Sequence, residues 1–178
     1  MAWKSTSDSY GGVGIALHWI VAVLFVGMMV AGFAASSATD DSAKVAILSL
    51  HAPIGFAILV LTVARIVWWT WADRKPAAPS TVARWQSRVA TAVHVGLMGA
   101  VLGLALSGIA LFALSGAGAI VFGGDPQTLP DFWTFAPRYG HAVLARLAIL
   151  LVALHVAAAL YHQFVLKDHL LARMGVGR

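Results

Sequence analysis

Four long apolar stretches, Val13 to Ala35, Leu48 to Trp71, Val89 to Leu114 and Tyr139 to Leu166, take up most of this chain of 178 residues. Each is close to or above the roughly 20 residues that an α-helix needs to cross a bilayer core about 30 Å thick. A backbone inside lipid must satisfy its own hydrogen bonds, so stretches of this length are read as helices. Composition agrees, since 60% of the residues are hydrophobic, 11% are charged and glutamate is absent. A water-soluble domain needs more charge on its surface. The expected architecture is an all-α, integral membrane four-helix bundle that forms one domain over residues 1–178. No connecting segment is long enough to bury a core of its own.

Basic residues in short loops stay on the cytoplasmic side of a membrane. The N-terminal segment (Lys4), the middle loop (Arg74, Lys75, Arg84, Arg88) and the C-terminal tail (Lys167, Arg173, Arg178) carry eight of the twelve, and the other two loops carry only Lys44 and Arg138. Both termini are therefore expected in the cytoplasm. The net charge of +5 follows from this bias. There is no basic stripe with interleaved aromatics, so no nucleic-acid partner is expected. The first span is longer than a signal-peptide core, and only Lys4 precedes it, so it is read as a retained helix. Trp19, Trp68, Trp69 and Trp71 sit at span ends, where aromatic anchors belong.

His141 and His155 lie fourteen positions apart in the last span. At 100° and 1.5 Å per residue they share one helix face, about 40° short of four full turns, and stand roughly 21 Å apart along the axis. With alternating helix directions, His18 and His155 fall at the cytoplasmic level and His51 and His141 at the outer level. A histidine inside a membrane helix is costly and points to a bound group. Two imidazoles at each of two depths suit bis-histidine ligation of two haem irons: His18 with His155 around an inner haem, and His51 with His141 around an outer one. The chain has no cysteine, so covalent attachment through C-x-x-C-H, iron–sulfur clusters, thiolate zinc sites and disulfides are all excluded. The expected cofactors are two non-covalent haem b groups.

The order of residues also resembles the bacterial cytochrome b561 family. The matching text is His18-Trp19 in the first span, His51 with Gly55 and Arg65 in the second, His94 with Gly108 in the third, and His141, His155 and His162 in the fourth. The run Ala157, Ala158, Ala159, Leu160, Tyr161, His162, followed by Lys167-Asp168, resembles the family's ending, and the likeness spans about residues 10–175. The chain departs at Ala16, Met98 and Ala105, where the family leads one to expect a polar residue, tyrosine and proline. The resemblance implies a di-haem cytochrome b of the bacterial inner membrane that exchanges electrons with quinone. Family members that act alone are similar to superoxide oxidases, which pass electrons from superoxide to ubiquinone. The alternative is a cytochrome b subunit that anchors a redox partner protein, a hydrogenase or formate dehydrogenase. A haem-independent bundle is a further rival.

The remaining polar residues sort around this reading. His162, two turns past His155 and about 20° off its face, is a candidate to donate a proton to quinone or else a head-group residue. His94 is a weaker quinone-site candidate with a structural alternative. Arg65 either snorkels or pairs with an inner-haem propionate. Arg146, five residues after His141, is expected to be a buried guanidinium paired with an outer-haem propionate. It is also the one candidate for a catalytic side chain, by drawing superoxide to the outer face, although Asp40, Asp41, Asp125 and Asp131 share that side. Gly96, Gly99 and Gly103 offer a small-residue face for a porphyrin plane or a neighbouring helix, the helix being favoured. The segment Ala117 to Phe122 is expected to dip into the interface over the outer haem.

Overall fold

A bundle built from these stretches must reverse direction three times, and the breaks fall where the apolar runs give way to polar, glycine or proline residues. In the computed structural model, which describes residues 2–78, 82–124 and 128–177, the helices are α1 (Gly12–Ser37), α2 (Asp41–Val67), α3 (Arg84–Ser115), α4 (Ala117–Gly123) and α5 (Ala136–Tyr161). Arg178 and Asp125, used above in the charge balance, lie outside the described residues. Four helices are long and apolar enough to cross a membrane, with α2 extended to Ala72 and α5 to Leu166. The extensions, Trp68–Ala72 and His162–Leu166, are π-helical turns. Both lie at the end of the bundle that holds the two chain termini, called here the terminal end.

The spans begin earlier than hydropathy suggests. The Asp40 side chain accepts the Ala43 N–H and caps α2, so that helix starts seven residues before Leu48. The Gln86 side chain accepts the Ala83 N–H, and α3 starts five residues before Val89. Polar first turns are invisible to an apolar-run criterion but are natural where a helix emerges into head groups. Pro53 stands inside α2, two residues after His51, and removes one rung of the backbone ladder there.

Packing is uneven. α3 lies closely along α5 and α1 along α2, with a smaller seam between α2 and α3, whereas α5 makes at most scattered backbone approaches to α1 and α2. Two helix pairs are thus hinged on one seam, with a slot between α5 and the α1–α2 pair. The α3–α5 approach uses small residues. A Cβ at Gly103 would fall 2.7 Å from Leu144 Cδ1 and one at Gly96 3.2 Å from Leu151 Cδ1, while one at Gly99 meets nothing within 4 Å. Gly96 and Gly103 therefore serve helix packing. Among the described residues no large side chain is fully buried, and the core is a thin set that includes Ile58, Ala100, Leu111 and Ala148. A four-helix bundle normally fills its interior with side chains or a cofactor. Outward, Val23, Phe56, Leu106 and Val143 are each more than half exposed, as suits lipid-facing positions. α4 seats Ala117 and Val121 against α2 and α3 at the end opposite the termini.

The terminal end is closed by three segments tied together through polar groups. The Arg173 side chain donates to the carbonyls of Asp8 (2.8 Å), Ser7 (3.4 Å) and Ala77 (2.9 Å), and Trp19 Nε1 donates to the Met174 carbonyl (3.1 Å). Asp73 accepts the Ser5 N–H (3.0 Å), the Ser5 hydroxyl (2.8 Å) and the Arg74 N–H (2.8 Å). Desolvation opposes ionisation of Asp73, but these hydrogen bonds outweigh it and hold the carboxyl below its ordinary value. A lowered carboxyl adds stability above the usual carboxylate value of about 3.9 and loses it as pH falls through the lowered value. Hydrogen-exchange protection of residues 2–11 is therefore expected to hold from neutral pH to about 5 and to fall as pH drops below about 4. In Asp73→Asn it should be low throughout. Protection that persists in acid, or in the variant, would show that the Asp73 contacts do not hold the segment.

Candidate functional site

Helix periodicity turns histidine spacing into height, and the four helices bring the histidines into two groups. His18 of α1 and His155 of α5 lie with ring centroids 6.1 Å apart near the terminal end. His51 of α2 and His141 of α5 lie 6.4 Å apart near the opposite end. Both pairs face each other across the slot where α5 stands off from α1 and α2. All four side chains are half-buried. The rings within each pair are steeply inclined, by 68° and 57°, and no hydrogen bond joins them.

Two imidazoles on opposite sides of one metal, each with its nitrogen about 2.0 Å away, have ring centroids roughly 6 Å apart. Both pairs meet that separation. The His51–His141 pair shows supporting contacts as well. His141 Nδ1 lies 3.1 Å from the Leu104 carbonyl and 3.1 Å from Ser107 Oγ, which engages that nitrogen and leaves Nε2 free. A carbonyl partner of this kind orients a ligating histidine and sets its tautomer. Glycines flank the same pair: a Cβ at Gly32 would sit 3.7 Å from His51 Cε1, and one at Gly108 3.6 Å from His141 Cε1. His51 Nδ1 is buried without a partner among the described residues.

Residues 9–177 match the family model of prokaryotic cytochrome b561. The chain belongs to that family. It is 28% identical to cytochrome b561 homolog 2 of Escherichia coli (strain K12), over 98% of this chain and 95% of that protein. It is 29% identical to the probable superoxide oxidase CybB of Yersinia pestis, over 93% of this chain and 94% of that protein, and 34% identical to cytochrome b562 of Cereibacter sphaeroides, over 93% and 94%. No solved structure matches the chain. The cytochrome b561 family binds haem b and carries out redox electron transfer, and this member is a multi-pass protein of the bacterial inner membrane. The residues present fit haem b: nitrogen donors only, ring pairs at ligation distance, and a helix α5 whose backbone stands off from α1 and α2 at both pairs.

The other sequence candidates divide. His94 of α3 has its ring centroid 5.1 Å from that of His155, closer than two rings on opposite sides of one metal allow, and its side chain is exposed. Arg65 lies within electrostatic range of His18, His94 and His155 and has no acidic partner among the described residues. His162 Nδ1 contacts Asp168 Oδ2 at 2.5 Å. Arg146 departs from expectation, because its side chain is exposed and its Nη1 donates to the Ala142 carbonyl one turn back (3.0 Å). Five residues turn a helix by about 500°, which leaves Arg146 roughly 140° away from the His141 face. The burial argument for pairing Arg146 with a propionate therefore fails. Its side chain instead bends toward the end of α5 where Arg138 stacks 4.4 Å over Trp133.

Sequence reasoning missed Ser107 and Leu104 as supports of His141, Gly32 beside His51, and the contact between His162 and Asp168. Ser107 lies on the His94 helix thirteen positions on, but nothing in its local pattern marks it. These are contacts between helices or across a chain reversal, and periodicity within one helix carries no signal for them.

Proposed function

We propose that this cytochrome b561 family member holds two haem b groups and catalyses electron transfer from superoxide to ubiquinone. The carrying observation is the pair of histidine couples, each with about 6 Å between rings, at two levels roughly 21 Å apart on α5. His18 and His155 bind the iron on the cytoplasmic side, and His51 and His141 bind the iron on the outer side. Both termini then lie in the cytoplasm, in keeping with the basic residues gathered at the terminal end. When bound, the haems supply one-electron chemistry along the bilayer normal. Leu104 and Ser107 hold the His141 ring, and Arg65 offers its unpaired guanidinium to a propionate of the inner group. Arg138 and Arg146 add positive potential at the outer end, where a small anion arrives. His162 and His94 line the approach for quinone near the inner pair, and His162 delivers a proton. The reaction balances as two superoxide ions giving two dioxygen molecules, with one quinone taking two electrons and two protons to form quinol. The full chain 1–178 acts as one domain, with superoxide and quinone as its small-molecule partners.

The test is anaerobic stopped-flow on the purified protein. Superoxide should reduce both b-type haems, and ubiquinone should reoxidise them. Arg146→Gln should slow reduction by superoxide at low salt, with the difference from wild type shrinking above roughly 0.1 M salt as screening sets in. A protein without a b-type spectrum, or one whose haems ignore superoxide, overturns the proposal. An Arg146→Gln variant equal to wild type at low salt removes the steering role alone.

A further inference from the structure

The end of α5 carries an arrangement that helix capping does not require. The Asp168 N–H donates to the His162 carbonyl (3.3 Å), which closes the helix with Lys167 in the left-handed conformation, φ 55°. That alone would end α5. His169, two residues on, is also left-handed, φ 56°, so two non-glycine residues in a sparsely populated conformation bracket Asp168. The double reversal turns the Asp168 side chain back onto the helix it has just left. There Oδ2 meets His162 Nδ1, and Oδ1 accepts the Leu170 N–H (3.3 Å).

Both side chains are shielded, His162 at 12% and Asp168 at 10% exposure. No lysine or arginine stands within ion-pair distance of the carboxylate among the described residues, and the imidazole is its one ionisable partner there. An ionised carboxylate can only accept hydrogen bonds. With the carboxylate ionised the proton between the two groups sits on Nδ1, and Nε2 is the nitrogen left for other chemistry. Tyr161 packs edge-on to the ring, with centroids 6.1 Å apart. His162 also opens a π turn, an irregularity that recurs at functional sites.

We infer that Asp168 is a positioning residue that holds His162 with Nε2 directed to a quinone carbonyl oxygen, so that His162 and Asp168 work as one proton-delivery unit. This rests on the quinone reading above. In each cycle His162, carrying a proton on both ring nitrogens, loses the one on Nε2 as an O–H bond forms on the quinone, whose electrons come from superoxide by way of the protein, and the ring is left neutral. Nδ1–H stays on Asp168, and Nε2 takes a new proton from cytoplasmic water. Two cycles make one quinol. The carboxylate does not itself give up or take a proton; by keeping Nδ1–H it makes Nε2 the nitrogen that gives up and regains the proton, as in hydrolases where a buried carboxylate orients a histidine.

The experiment is a double-mutant cycle on the full-length haem protein: His162→Gln, Asp168→Asn, and both together, with Asp168→Glu as the conservative variant. Haem spectra and reduction potentials are recorded first, then reoxidation of the reduced protein by ubiquinone. Spectra and potentials should match wild type in all four. Asp168→Asn should slow maximal reoxidation about tenfold or more, with half-saturating quinone little changed, and Asp168→Glu should recover part of the rate. In the His162→Gln background, Asp168→Asn should add nothing. An equal slowing in both backgrounds would mean that Asp168 acts by docking the tail and would overturn the proposal. So would a normal rate in Asp168→Asn beside a slow His162→Gln, and there the quinone reading survives. A normal rate in His162→Gln takes His162 out of proton delivery and overturns the proposal, while reduction of quinone by the protein stands.

Discussion

Alanine at His51 or His141 should remove the outer haem and leave the inner haem's spectrum in place, and alanine at His18 or His155 should do the reverse. The effect is expected to be close to complete, because a bis-histidine iron loses half its protein ligation with one ring. The outer pair bridges α2 and α5 and the inner pair α1 and α5, so each loss should stay local: the pair at the other level, roughly 21 Å away along α5, keeps both of its rings. Haem-to-protein ratio with reduced-minus-oxidised spectra of each purified variant reads the outcome. His94→Ala is the control. Its ring lies 5.1 Å from His155, too close for a metal between them, and both haems should remain. Loss of both haems from all four ligand variants would mean that the two sites fold as one unit, and loss of the inner haem from His94→Ala would mean that the inner pairing is wrong.

Gly108→Leu should expel the outer haem without touching any ligand. A Cβ at Gly108 already stands 3.6 Å from His141 Cε1 and 3.8 Å from its Nδ1, ordinary van der Waals distances. Alanine there should be accepted, with both haems bound. Leucine pushes its branch into the space beside the ring, and overpacking of this kind costs about 1–3 kcal/mol even where neighbours yield. The easiest yield is rotation of His141 away from Leu104 and Ser107, which takes Nε2 off the iron. The inner haem should stay, since Gly108 and His94 lie fourteen positions apart on α3, roughly 21 Å along the axis. A full complement of both haems in Gly108→Leu would show that the ring has room to retreat and that the glycine is not needed beside it.

How much was legible beforehand differs by residue. The spans and histidine heights were legible because both are local: apolar length measures the bilayer, and the helical repeat converts sequence spacing into depth. Arg146 was misjudged because depth is only one coordinate. Its distance from His141 along the axis is small, but its azimuth puts it on another face, exposed, with its guanidinium on Ala142. The glycine row on α3 was read correctly as helix packing at Gly96 and Gly103, where leucines of α5 come within 3.2 Å of a built Cβ. Gly32 and Gly108 carry no such pattern, and their place beside the imidazoles emerges only when α1 and α3 flank the slot.

The sequence by itself determined an all-helical membrane protein with donors at two depths, and it excluded every thiolate cofactor. Those conclusions need only the hydrophobic thickness of lipid, the pitch of a helix and the absence of cysteine. The tertiary structure decided what lies sideways: that α5 pairs with α3 and stands off from α1 and α2, that Leu104 and Ser107 hold one ring, and that the chain doubles back so that Asp168 reaches His162. Lateral packing depends on side-chain fit between segments distant in sequence, and a reversal depends on two residues held in a conformation they disfavour. Neither leaves a period in the sequence to read.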